Sequence, residues 1–121
     1  MKTHIKATNF NITPMIEDWI LEKIGTLNKF IQRLDEKGVV ECWVEVGKTT
    51  KHHNKGYIFK AEVNMSLPGK LLRVDEIEDD LKKAIVKAKD EMQRQLKKYK
   101  GEMQAKQRRG ARDAKDMQID L

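Results

Sequence analysis

From Tyr57 to Leu67 the chain alternates without a break. Tyr57, Phe59, Ala61, Val63, Met65 and Leu67 take every second position, with Ile58, Lys60, Glu62, Asn64 and Ser66 between them. Successive side chains of a strand point to opposite faces, so this period makes one face apolar and the other polar. A helix with the same residues would scatter charge around its whole circumference. The stretch is therefore a half-buried strand, and its apolar face needs a cover. Val40, Cys42, Val44 and Val46 alternate with Glu41, Trp43 and Glu45 in the same way. Gly47 to Gly56 is polar, holds His52 and His53, and reads as a mobile hairpin loop between the two strands. Thr3 to Phe10 and Leu71 to Val74 read as two further strands, the latter after a Pro68-Gly69 turn.

Two helical stripes supply the cover. Thr13-Pro14 opens the first, since a threonine hydroxyl caps free N–H groups and proline fits the first helical position. Ile16, Ile20, Ile24, Leu27, Ile31 and Leu34 follow at spacings of three and four, widened by Trp19 and Phe30. Lys37-Gly38 is the expected end. The second stripe is Ile77, Leu81, Ala84, Ile85, Ala88, Met92, Leu96, Tyr99 and Met103. Asp75 and Glu78 are spaced as a capping box for it. The expected order is β-α-β-β-β-α, an α+β sandwich with both helices on one face of a four-stranded sheet. The sheet's other face, with Glu41, Trp43, Glu45, Lys60 and Glu62, should meet solvent. Residues 1–103 are expected to form one domain, and 104–121 a flexible charged tail with few apolar residues.

Charge is distributed unevenly over this frame. Asp75 to Asp80 holds five carboxylates in six residues. From Lys82 to Arg112 there are twelve Lys and Arg against three acids, a formal +9 beside the +6 of the whole 121-residue chain. On a helical wheel Lys82, Lys89 and Lys100 flank the apolar stripe on one side. Lys87, Arg94 and Lys98 flank it on the other, and Lys83 and Lys97 point outward. Lys23, Lys29 and Arg33 add to the later part of the first helix. A few lysines at a helix end would be a solvated face favoured by the helix dipole. A +9 element is tolerated more readily beside a polyanion, which points to RNA read through phosphate and shape.

Other chemistries find little support. The lone Ser66 lies mid-strand and the lone Cys42 lies on an apolar strand face, so neither offers a nucleophile on a turn. No glycine-rich phosphate loop is present, and His4, His52 and His53 do not have the spacing of a zinc site. No catalytic residue, metal or cofactor is expected, nor a small-molecule substrate. One cysteine excludes an internal disulfide and fits a reducing cytoplasm. Neither a secretory signal nor a membrane span is evident, so a cytoplasmic protein without membrane attachment is expected. Lys55-Gly56-Tyr57-Ile58-Phe59 is similar to the start of an RNA-recognition-module motif that stacks bases on an open sheet. Exposing Tyr57 and Phe59 would, however, turn Lys60 and Glu62 into the core. Both aromatics are therefore expected inside.

Three segments together resemble the ribosome hibernation promoting factor family, also called ribosome-associated inhibitor A and, in older usage, sigma-54 modulation protein. They are Ile12-Thr13-Pro14, then Gly56-Tyr57-Ile58-Phe59-Lys60-Ala61-Glu62-Val63, and last Ala84-Ile85 with Arg94-Gln95-Leu96-Lys97-Lys98-Tyr99-Lys100. The resemblance covers about residues 1–103 and is to the short form, without the added domain through which long forms pair ribosomes. It implies the same β-α-β-β-β-α fold and binding to the small ribosomal subunit in the mRNA and tRNA channel, with translation silenced under stress or in stationary phase. It also implies contacts to ribosomal RNA from Lys23, Lys29, Arg94, Lys98 and Lys100, to which the wheel adds Lys82, Lys83, Lys87, Lys89 and Lys97 and the later part of the first helix adds Arg33. Family members often have an acid at the position of Val86 and a base at that of Glu91. Off the ribosome a monomer is expected. Two other readings fit the residues: a double-stranded RNA-binding protein without ribosome preference, and a regulatory protein-interaction module presenting the sheet face around Trp43.

Overall fold

The computed structural model describes residues 1–35, 40–50 and 56–119. The strands are β1 (Lys2–Thr8), β2 (Glu41–Thr50), β3 (Tyr57–Leu67) and β4 (Lys70–Glu78). They form one sheet in the order β1-β2-β3-β4, with β1 parallel to β2 and the other pairs antiparallel. The parallel pair needs a crossover, and the first helical region provides it. The helices are α1 (Pro14–Gly25), α2 (Gln32–Asp35) and α3 (Leu81–Ile119). The expected α+β class and β-α-β-β-β-α order are what the chain adopts.

The core is a single cluster made where the alternating faces meet the helical stripes. Cys42, Val44 and Val46 of β2 and Ala61, Val63 and Met65 of β3 lie under Ile20, Ile24 and Leu27 and under Ile85, Met92 and Leu96 of α3. All twelve are at most 1% exposed, which defines the inner face of the sheet without ambiguity. The far part of α3 is held at two polar points: the buried Tyr99 donates its hydroxyl to Pro68 O at 3.0 Å, on the turn where Gly69 takes a φ of 73°, and Glu102 lies 3.6 Å from Lys70. A buried tyrosine finds such a partner because its ring packs while its hydroxyl must be satisfied.

The first helix is broken where an unbroken one was expected. Thr13 caps it as read, accepting from Ile16 N at 3.2 Å. After Gly25 the chain tightens into a 3-10 segment, Thr26–Phe30, before α2. Thr26 Oγ1 donates to Lys23 O at 2.6 Å, and Ile31 N donates to Asn28 O at 3.1 Å. Side-chain bonding of this kind competes with the α-helical ladder, and Gly25 gives that ladder little support. The expected stop at Lys37-Gly38 lies outside the described residues, as do His52 and His53.

The capping box at Asp75 and Glu78 does not form. Both residues belong to β4, opposite Glu62 and Phe59 of β3. The helix is capped by Asp80, whose Oδ1 accepts from Lys82 N at 2.9 Å while its carbonyl accepts from Ala84 N at 3.0 Å. A long β3 offers a full ladder of backbone partners, and that outweighs one local cap. Ile77, assigned above to the helix stripe, is instead 59% exposed on the open sheet face. Tyr57 is 55% exposed rather than core, with Lys48 Nζ 3.9 Å from its ring centre. It shares the inner face with Phe59, which is partly buried, and only its position at the strand end leaves it uncovered.

At the other end, α3 continues through Gly101 and Gly110 to Ile119, so the stretch expected as a flexible charged tail is helical over most of its length. Each glycine costs about 1 kcal/mol in a helix. Gln104, Ala105, Lys106, Gln107, Arg108 and Arg109 are good helix formers that share that cost. At about 1.5 Å per residue α3 is a rod of roughly 58 Å, and it reaches well past the sheet.

Burial raises the Cys42 thiol to about 12. Folding therefore favours its protonated form, and stability should fall as pH rises from the unfolded thiol's range near 9 toward that value. Iodoacetamide at pH 8 should leave Cys42 untouched in the folded protein and label it once guanidinium unfolds the chain. Mass spectrometry reads the difference, and rapid labelling of the folded form would contradict this packing.

Candidate nucleic-acid interface

The basic residues separate into two groups by what lies beside them. One group lines the seam where α3 runs beside α1, the 3-10 segment and α2. Trp19 sits between Lys23 Nζ at 5.8 Å and Lys82 Nζ at 5.3 Å from its ring centre. Phe30 is approached by Lys29 Nζ at 5.2 Å and Lys97 Nζ at 5.6 Å. Each ring thus gathers one ammonium from each side of the seam. A ring face attracts cations while leaving their outward hydrogen bonds free for another partner. Lys89, on the same flank of α3, is half-buried, its side chain 18% exposed and paired with Asp90 at 2.6 Å.

The second group faces β4 and the acidic run. Lys87 is bonded to Glu78, which holds its ammonium charged beyond the ordinary lysine range. Lys83 lies 3.6 Å from Asp79. Arg94 donates to Glu91 through Nε at 3.0 Å and Nη2 at 2.6 Å, and this hydrogen bonding holds the Glu91 carboxyl below its usual range. Here the cations are matched by carboxylates. Lys98 lies on this side by helical spacing. Among the described residues, Lys23, Lys29, Arg33, Lys82, Lys97, Lys98 and Lys100 have no carboxylate within ion-pairing distance.

Where the seam widens, the 3-10 segment and α2 stand off from the far part of α3 and leave a cleft of about 320 Å³. Phe30, Leu34, Tyr99 and Met103 give it apolar walls, and Lys29, Arg33 and Lys100 stand at its rim. Sequence reasoning placed these three cations in an RNA set but missed the cleft. Its remaining rim, Gln32, Gln104 and Gln107, carries no charge or period to mark it. Two of those glutamines fall in the segment read as a tail.

The open sheet face is different in kind. His4 stacks on Trp43 at 5.8 Å and its Nε2 lies 3.2 Å from Glu41. Thr8 donates to Glu45 at 3.1 Å. Arg73 lies 3.4 Å from Glu62 and 3.6 Å from Asp75. Acids and bases neutralise one another across the strands, so this face offers a polyanion little. Among the described residues no helix is long and apolar enough to cross a membrane.

A family model described as sigma 54 modulation protein / S30EA ribosomal protein matches residues 3–104. Among solved structures, the chain is similar to the Protein Y N-terminal domain of Thermus thermophilus. The two are 28% identical with a TM-score of 0.66, over 82% of this chain and 99% of that one. It shares its fold with a ribosomal subunit interface protein from Coxiella burnetii, at 18% identity and a TM-score of 0.62, over 84% of this chain and 99% of the other. No curated protein gives a significant match. The family match closes at residue 104, within α3.

Proposed function

The chain belongs to the sigma 54 modulation protein / S30EA ribosomal protein family, and from that premise we propose that it binds the small ribosomal subunit in the channel used by mRNA and tRNA and inhibits translation by occupying it. The observation that carries this reading is the uncompensated basic seam. Lys23, Lys29, Arg33, Lys82, Lys97 and Lys100 line one side of the molecule with no acid paired to them among the described residues, while most cations of the β4-side flank have carboxylate partners. Phosphates of ribosomal RNA would replace the counterions of that seam. Arg94 and Lys98 lie on the other flank and would reach RNA only at its margin, as would Lys83, Lys87 and Lys89, each of which already has a carboxylate partner. The ribosome-binding body is residues 1–103, and the rest of α3 is an appended helical arm.

The action needs no reaction. A wedge that fills the channel excludes mRNA and tRNA while it is bound and releases them when it leaves. Inhibition of a cell-free translation reaction should therefore reach half its maximum near one protein per ribosome when concentrations exceed Kd. Ribosomes preloaded with mRNA and initiator tRNA should resist, because the site is taken. Inhibition far below one protein per ribosome, or a cleaved ribosomal RNA, would replace occlusion with catalysis. Equal inhibition of free and preloaded ribosomes would move the site out of the channel.

A further inference from the structure

We propose that the cleft at the wide end of the seam receives one unpaired nucleobase of the bound RNA. The inference rests on the RNA-binding reading above and adds a specific contact to an otherwise electrostatic interface. Three features of the cleft converge on this ligand. Its volume of about 320 Å³ lies at the small end of the range for ligand pockets, suited to one base rather than an extended peptide. Phe30, Leu34 and Met103 are partly buried hydrophobic residues packed against the core, and they give the base's flat faces an apolar wall. Gln32, Gln104 and Gln107 stand at the rim. Amide side chains both donate and accept, which is what the mixed edge of a nucleobase requires and what a phosphate does not.

The cations complete the fit. Lys29, Arg33 and Lys100 are exposed beside the same opening, where the phosphates on either side of an extruded nucleotide would pass. Lys29 and Lys97 already sit near the Phe30 ring, so the cationic and apolar parts of the site meet at one residue. Sequence-specific RNA recognition uses unpaired nucleotides in this way, because the narrow major groove of a paired helix hides its base edges. The extension of α3 past Gly101 gives the site its polar rim, since it carries Gln104 and Gln107.

The test compares three RNAs of one hairpin sequence: fully paired, with a single bulged adenosine, and with an abasic nucleotide at the bulge. The full-length protein should bind the bulged hairpin about tenfold more tightly than the paired one, the scale of one base contact. The abasic hairpin should bind like the paired one. Gln104→Ala with Gln107→Ala, at exposed helical positions where alanine preserves the helix, should reduce the preference to about twofold or less. Its affinity for the paired hairpin should not change. Equal binding of the paired and bulged RNAs by the unaltered protein would overturn the proposal, as would a preference that survives the abasic substitution or the double variant. Failure of the RNA reading itself is distinguishable: none of the three RNAs would then bind with a salt-dependent affinity.

Discussion

Lys29→Glu combined with Lys100→Glu is expected to weaken binding to the small ribosomal subunit by about a hundredfold at moderate salt. Both ammonium groups are exposed at the cleft and neither is paired to an acid among the described residues. Each reversal removes a phosphate contact and adds a repulsion. The dependence of log K on log salt should become shallower by roughly 1.5, since a contact contributes about 0.7 to 0.9 to that slope. Arg94→Glu with Lys98→Glu should weaken binding less, because Arg94 is already held by Glu91 on the flank nearer β4. Lys60→Glu, on the open sheet face, should do little. Filter binding or sedimentation with purified subunits over a salt series gives all three numbers. If Lys60→Glu were the most damaging, the interface would be the sheet and the seam would be an ordinary solvated face.

Leu96→Ala should have the opposite profile. Leu96 is fully buried where α3 crosses the sheet, so truncation loses apolar burial and leaves a cavity, for about 3 kcal/mol of stability. In a domain of this size that corresponds to a melting temperature lower by roughly 10 °C. The seam cations keep their places in the folded fraction, so affinity for the small subunit measured well below the new melting point should change less than threefold. Leu71→Ala, at a leucine 64% exposed on the open face, should shift the melting temperature by only a degree or two, in line with other surface changes. A melting temperature unmoved by Leu96→Ala would mean that α3 is not packed on the sheet. A large loss of affinity without loss of stability would mean that the core and the binding surface are not separable.

The alternation in β2 and β3 was readable because its period is short and every position agrees. The stripe of α3 was readable over Leu81 to Met103 for the same reason. The ends of these elements were not. Asp75 and Glu78 carry a valid local signal for a helix cap, and a strand of β3's length overrode it by offering backbone partners that a local motif does not know about. The scarcity of apolar residues after Met103 carries a valid signal for a tail, and the helix formers there carried α3 on through Gly101 and Gly110. Tyr57 fits the inner face by parity, yet whether the inner face is covered at that point depends on where the neighbouring segments lie.

The basic set shows the same division. Sequence alone determined that the last helix is strongly cationic and that its lysines flank an apolar stripe, because charge and period are properties of a linear order. It also determined the α+β class, since two one-sided strands and two one-sided helices have few ways to hide their apolar faces. Which flank stays uncompensated was decided only when the chain closed. β4 brought Glu78 to Lys87, while α1 and the 3-10 segment brought Trp19 and Phe30 to Lys82 and Lys97. A wheel records the direction of a lysine but not its neighbour. Because an acid neutralises a lysine and an aromatic ring leaves its charge standing, it is the neighbour that decides where a polyanion can bind.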